Sequence, residues 1–119
     1  MSTKVHLNVA FTINEGKFDA FQKTAQAMVE GTDKEKGTLT YHFYINADRK
    51  RGRLIETYED AAALDAHFKS HVVQQLVPKL LESTTLTGFE IYGDPSTELR
   101  KTLADMKAEI YPFLRGINR

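Results

Sequence analysis

Between Val5 and Ile13 every second residue is apolar (Val5, Leu7, Val9, Phe11, Ile13), and just beyond Asn14 the period changes. Phe18, Phe21, Ala25 and Met28 then recur at spacings of three and four. A period of two builds a strand with one apolar face, and a period near 3.6 builds an amphipathic helix. The same exchange then happens again. Residues 38–46, TLTYHFYIN, alternate, with Leu39, Tyr41, Phe43 and Ile45 on one face and Thr40, His42 and Tyr44 on the other. RLIETYE follows the turn ADRKRG and closes a hairpin. Asp60 is placed to cap a helix through AAALDAHFK, and the helical pattern resumes through VVQQLVPKLLE. Pro78 inside that run predicts a break or kink across residues 70–78.

A fourth strand is expected over about residues 85–92, with Gly88 marking a bulge. Asn14 is expected to cap the first helix, which ends near Gly31. Asp94 and Pro95 open a last helix carrying Leu99, Leu103, Met106 and Ile110. The order β-α-β-β-α-β is the α+β, ferredoxin-like plan, a four-stranded antiparallel sheet with helices on one face. Residues 1–93 complete that plan. Residues 94–119 add a helical extension, either part of the same domain or an arm of a dimer. At 119 residues the chain is long enough for one domain with a true core.

The plan leaves the second face of the sheet and the last helix uncovered. A homodimer packing sheet against sheet, with the terminal helix reaching across or closing an edge, covers both. The alternative is a helix folded back on its own subunit. His6, Asn8, His42 and Tyr44 form a polar set on that second face. They suit a wet subunit interface or the wall of a substrate cavity.

Composition removes several functions. Lys plus Arg equals Asp plus Glu at 16 each, whereas proteins that grip phosphate backbones carry a basic excess. Nucleic acid is therefore not an expected partner, and Arg49, Lys50, Arg51 and Arg53 read as a solvated turn. The absence of cysteine removes disulfides, thiol catalysis and cysteine-ligated metals. No apolar run approaches the ~20 residues of a membrane span, and MSTKVHLN has no signal-peptide core. A cytoplasmic location is the resulting expectation. There is no Gly-rich phosphate loop and no GxSxG elbow.

Chemistry-bearing side chains gather in residues 54–71. Glu56 and Tyr58 share a strand face, and His67 and His71, four apart, share a helix face. Consecutive elements usually pack together, so the four are expected near one another, with Leu64 and Phe68 marking the buried side of the helix. A carboxylate in an apolar pocket has its pKa raised, and a neighbouring histidine can exchange protons with it at neutral pH. Glu56 fits equally a salt bridge on a solvated strand, and His71 fits a helix cap. Two histidines and a carboxylate also have the composition of a metal facial triad. HExxH is absent, and no metal is expected.

GTLTYHFYINAD, then RLIETYEDAAALDAHFKSH, then a helix ending PKLLE and a closing strand resemble the antibiotic biosynthesis monooxygenase family, which includes quinol monooxygenases and belongs to the dimeric α+β barrel superfamily. The resemblance covers about residues 3–93. In that family the third strand carries a glutamate two residues before a tryptophan, then an acidic residue and a helix with a histidine. Glu56, Tyr58, Asp60 and His67 match those places, with tyrosine in place of tryptophan, and His71 lies near a second family histidine. The resemblance implies a homodimer that oxidises a small aromatic quinol or phenol with dioxygen and needs neither metal nor flavin. It implies His67 as base, Glu56 as its partner and Tyr58 as a stacking wall, with His71, Leu64, Phe68 and Tyr44 around the substrate. Haem-degrading relatives use an asparagine, a tryptophan and a haem-ligating histidine, and this chain has no tryptophan and lacks that histidine. A ligand-binding or stress-related dimer, or an isomerase of small carbonyl compounds, is similar in fold and remains the alternative.

Overall fold

The structure is a computed structural model describing residues 3–119. Its elements run β1 (Val5–Ile13), α1 (Phe18–Thr32), β2 (Thr38–Ile45), β3 (Arg51–Tyr58), α2 (Ala61–Phe68), one π-helical turn (Val72–Leu76), α3 (Val77–Leu80), β4 (Thr84–Tyr92), α4 (Thr97–Asp105) and β5 (Glu109–Tyr111). One sheet has the order β2-β3-β1-β4-β5. The first four strands pair antiparallel, and β5 joins β4 in parallel. The sheet is thus five-stranded and mixed, where the sequence pattern predicted four antiparallel strands.

The correction has a local cause. The last helix does not run on to Ile110 but stops at Asp105. Lys107 takes a left-handed conformation at φ 60°, and the amides of Lys107 and Ala108 bond to the carbonyls of Ala104 and Leu103. That pattern is a Schellman motif, here closed by lysine where glycine is usual. The chain then turns back, and Ile110 pairs with Ile91 as an edge strand. Nor does Asp94 cap α4. Ser96 does, through its hydroxyl and the Leu99 amide. Asn14 does not cap α1 either: its side chain accepts from the Thr85 hydroxyl, and Lys17 holds the N-cap position.

Asp60 caps α2 as its position predicts, accepting from the Ala63 amide at 2.8 Å. The interruption predicted across residues 70–78 appears as a bend at Lys69–Ser70 and a change of helix type, from the π-helical turn directly into α3, with Pro78 in the first turn of α3. A bulge beside Gly88 shifts the β1–β4 register. A second, near Thr38, turns Leu39 outward, away from the face it was expected to share with Tyr41, Phe43 and Ile45.

All helices cover one face of the sheet. The core has two parts. Val5, Leu7, Tyr58, Leu64, Phe89, Ile91, Leu99 and Leu103 pack together at one end, so α4 folds back on its own subunit and fills the place that the basic plan leaves open. Phe11, Phe21, Ala25, Met28, Leu54, Val72 and Leu80 pack at the other. Fully burying one such side chain is worth about 1.5–3 kcal/mol. Val9 touches both parts, and the polar groups described next lie at the seam.

Candidate functional site

Polar residues occupy three positions of the covered face where the periodicity calls for apolar ones. Glu56 and Tyr58 on β3 point inward beside Leu54, and His67 faces them from α2; the three are 4%, 0% and 2% exposed. The Tyr58 hydroxyl donates to Glu56 Oε1. His67 Nδ1 lies 2.7 Å from Glu35 Oε1, and His67 Nε2 lies 3.8 Å from Glu56 Oε1. Tyr41 on β2 packs edge-on against the imidazole at 5.5 Å between ring centres, and Tyr58 lies against it at 5.3 Å.

Each position has a local reason. The cap at Asp60 starts α2 so that His67 falls on the same side as buried Leu64. Glu35 comes from the loop between α1 and β2, which presses against α2 at Gly37. A Cβ on Gly37 would stand 2.6 Å from that of Ala63, one turn before His67. Glycine is what lets the loop approach, and the approach carries Glu35 to the imidazole.

Burial dominates the electrostatics. It raises the Glu56 carboxyl to about 7, the Tyr58 hydrogen bond pulling the other way and the Glu35 charge adding to the rise. The same desolvation lowers His67, against the hydrogen bond and charge of Glu35. Tyr41 and Tyr58 are pushed far up by burial and by the Glu56 charge, so both stay as phenols. At neutral pH His67 is a neutral imidazole whose proton the Glu35 carboxylate holds on Nδ1. Its Nε2 lone pair then points toward Glu56 across a gap too long for a hydrogen bond. Nε2 is therefore a base, beside a carboxyl poised to give or take a proton.

A cavity of about 70 Å³ opens against these groups. Glu56, His67 and Tyr41 are its polar lining residues, and Leu54, Phe68 and Met106 are among its apolar ones. Of the residues singled out in the sequence, Glu56, Tyr58 and His67 come together and Phe68 joins the wall. Leu64 is buried in the adjoining core. His71 is exposed at the start of the π-helical turn and does not line the cavity. Tyr44 is 55% exposed on the opposite face of the sheet, its hydroxyl 3.4 Å from His42 Nδ1. Sequence reasoning missed Glu35 and Tyr41; it paired His67 with Glu56, and Glu35 lies nearer to the imidazole. Among the described residues no group of three His, Asp or Glu is placed to hold a metal ion, and His67 and His71 do not converge.

The chain matches the family description "Antibiotic biosynthesis monooxygenase" over residues 4–79. The chain belongs to that family. No curated protein matches it. Among solved structures it is similar to MupZ from Pseudomonas fluorescens, with 26% identity and a TM-score of 0.88 over 100% of this chain and 91% of that one. It is similar in fold to Rv0793 from Mycobacterium tuberculosis, at 23% identity and TM-score 0.65, over 78% of this chain and 96% of that one. SnoaB, a cofactor-independent oxygenase from Streptomyces nogalater, aligns at 13% identity and TM-score 0.69 over 81% of this chain and 97% of that one. In this antibiotic biosynthesis monooxygenase homologue, the family match takes in Glu35, Tyr41, Glu56, Tyr58 and His67 and stops before α4.

Proposed function

We propose that the chain is an oxygenase without metal or flavin that deprotonates a small phenol or quinol and lets the resulting anion react with dioxygen. The observation that carries this reading is the Glu35–His67 pair. Its geometry holds a neutral imidazole that lines an apolar cavity, with Nε2 facing Glu56 across 3.8 Å. A phenol hydroxyl placed at Nε2 gives up its proton there, and the imidazolium formed is stabilised by the carboxylate on Nδ1. A phenolate in a dry cavity is a better electron donor to dioxygen than the phenol, so the protein supplies a base, positioning and exclusion of water. Tyr41 and Tyr58 line the imidazole as aromatic walls.

The test follows oxygen consumption by metal-stripped protein over a panel of dihydroxynaphthalenes and anthrones. Uptake above autoxidation that is lost in His67→Ala and reduced in Glu35→Gln supports the reading. Uptake unaffected by His67→Ala refutes the site, and no uptake across the panel, with tight binding, turns the protein into a binding module.

A second reading is favoured by Glu56. A carboxyl titrating near 7 and 3.8 Å from Nε2 lets one group take a proton and the other return it elsewhere, as isomerisation of a carbonyl compound requires. Solvent deuterium entering a bound ketone without oxygen uptake would select it.

The outer sheet face supports a homodimer. Tyr44, Tyr92 and Tyr111 are exposed there, and half-buried Asn8 has a side-chain oxygen that is out of solvent without a hydrogen-bond partner. A second copy packed on this face covers the tyrosines. No helix among the described residues is long and apolar enough to cross a membrane.

A further inference from the structure

The cavity at His67 is small for the chemistry assigned to it. An engineered apolar cavity of about 150 Å³ takes a single benzene, and the volume here is about 70 Å³. A groove of about 260 Å³ lies directly beside it, between α2 with the π-helical turn on one side and α4 on the other. Phe68, Val73 and Met106 line both spaces, so these three side chains are the partition. Two of them are anchored in the family domain. Met106 comes from the C-terminal extension, sits at the C-cap of α4 just before the left-handed Lys107, and is 37% exposed. It is an unbranched thioether with three rotatable bonds, the side chain best able to swing aside.

The floor of the groove is fixed, in contrast. Leu99 and Leu103 anchor α4 in the core, and the Ser96 hydroxyl ties its start to Asp65 on α2 at 2.8 Å. The family match ends at residue 79. Rv0793 and SnoaB leave about a fifth of this chain without counterpart, a share about as long as residues 94–119, whereas MupZ spans all of it. Glu98, Leu99, Thr102 and Met106 lie beyond that match and line the groove, so the extension builds one of its two walls.

We infer that the extension makes this a pocket for an elongated, mostly apolar substrate, its reacting end at His67 and Glu56 and its remainder passing Met106 into the groove. The inference rests on the acid–base reading of His67 and names the substrate shape that this site takes. Phe68, Val73, Leu99 and Met106 give the groove an apolar side, and polar and charged residues, exposed Lys69 and Glu98 among them, form its rim, so an alkyl or alkenyl chain lies along the apolar side with any polar group at the rim.

The experiment measures dissociation constants of 4-alkylphenols, from methyl to octyl, by amide shifts in NMR. Wild type, Met106→Trp, Met106→Ala and His67→Gln are compared, with thermal midpoints confirming that each is folded. Each methylene entering the groove is expected to tighten binding up to about fourfold. Met106→Trp flattens that dependence and Met106→Ala keeps it, with shifts at Val73, Thr102 and Met106. Affinity independent of chain length, or a length dependence that Met106→Trp leaves intact, overturns the inference. The acid–base reading is judged separately, by the ionisation colour of bound 4-nitrophenol. If His67→Gln leaves that colour unchanged while the chain-length dependence persists, His67 is not the base but the channel stands. If no phenol binds to wild type or to Met106→Ala, both ideas fall.

Discussion

Replacing Glu56 by glutamine isolates the cost of burying that carboxyl. Burial raises Glu56 from 4.5 to about 7. Between those values the folded chain holds a proton that the unfolded chain has released, so stability falls as pH rises through the window. A shift of that size corresponds to about 3 kcal/mol, of which about 2–3 kcal/mol is expressed between pH 5 and pH 8. His67 contributes with the opposite sign. Its folded value is lowered, so below 6.5 the unfolded chain binds the extra proton and stability rises with pH until 6.5 is passed. Comparing Glu56→Gln with wild type at each pH cancels the histidine contribution, and glutamine still offers an oxygen to the Tyr58 hydroxyl.

Urea unfolding followed by circular dichroism provides the assay. Glu56→Gln is expected to gain about 2–3 kcal/mol on wild type between pH 5 and pH 8. With m near 1–3 kcal/mol/M for a domain of this size, the midpoint difference changes by on the order of 1–2 M. If the two proteins keep the same difference at pH 5 and pH 8, Glu56 titrates as an ordinary carboxylate. The buried-acid argument would then be refuted, and with it the second functional reading.

Other perturbations test the neighbouring links. Glu35→Gln removes the charge that supports His67, so the imidazole titrates still lower by NMR, and turnover drops on the order of tenfold to a hundredfold, the worth of a hydrogen bond to a charged group. Gly37→Ala drives a Cβ into Ala63, costs about 1–3 kcal/mol in urea unfolding and reproduces the Glu35→Gln phenotype by displacing the loop. Adding Ala63→Gly to Gly37→Ala restores both readouts, and failure of that rescue rejects the loop argument. Lys107→Gly relieves a left-handed lysine, adds about 1 kcal/mol and raises the melting temperature roughly 3–6 °C; no rise means the Schellman turn carries no strain.

The parts of the fold legible in the sequence are those where a local period decides. Alternation in Val5–Ile13 and the three-four spacing from Phe18 place β1 and α1 because each side chain chooses between only two faces. The parts that were not legible depend on distant partners. Leu39 follows the period of β2 yet faces out, because the bulge that turns it is a matter of pairing with β3. Ile110 continues the helical stripe by count, but three extended residues against β4 complete β4's free edge, and no glycine announces the turn at Lys107.

The site divides along the same line. Glu56 stands at an apolar place in the β3 alternation, between Leu54 and Tyr58, and a charge out of pattern on a buried face is a readable sign of chemistry. His67 is readable likewise, one helical turn after Ala63 and beside buried Leu64. Glu35 is not. It sits in TDKEKG among charges that look alike, and what sets it apart is a contact between Gly37 and Ala63 across 26 residues of chain. The pairing that turns His67 into a base therefore rests on the absence of one methyl group in a loop. Hence removing Glu35 and adding that methyl should produce the same enzyme.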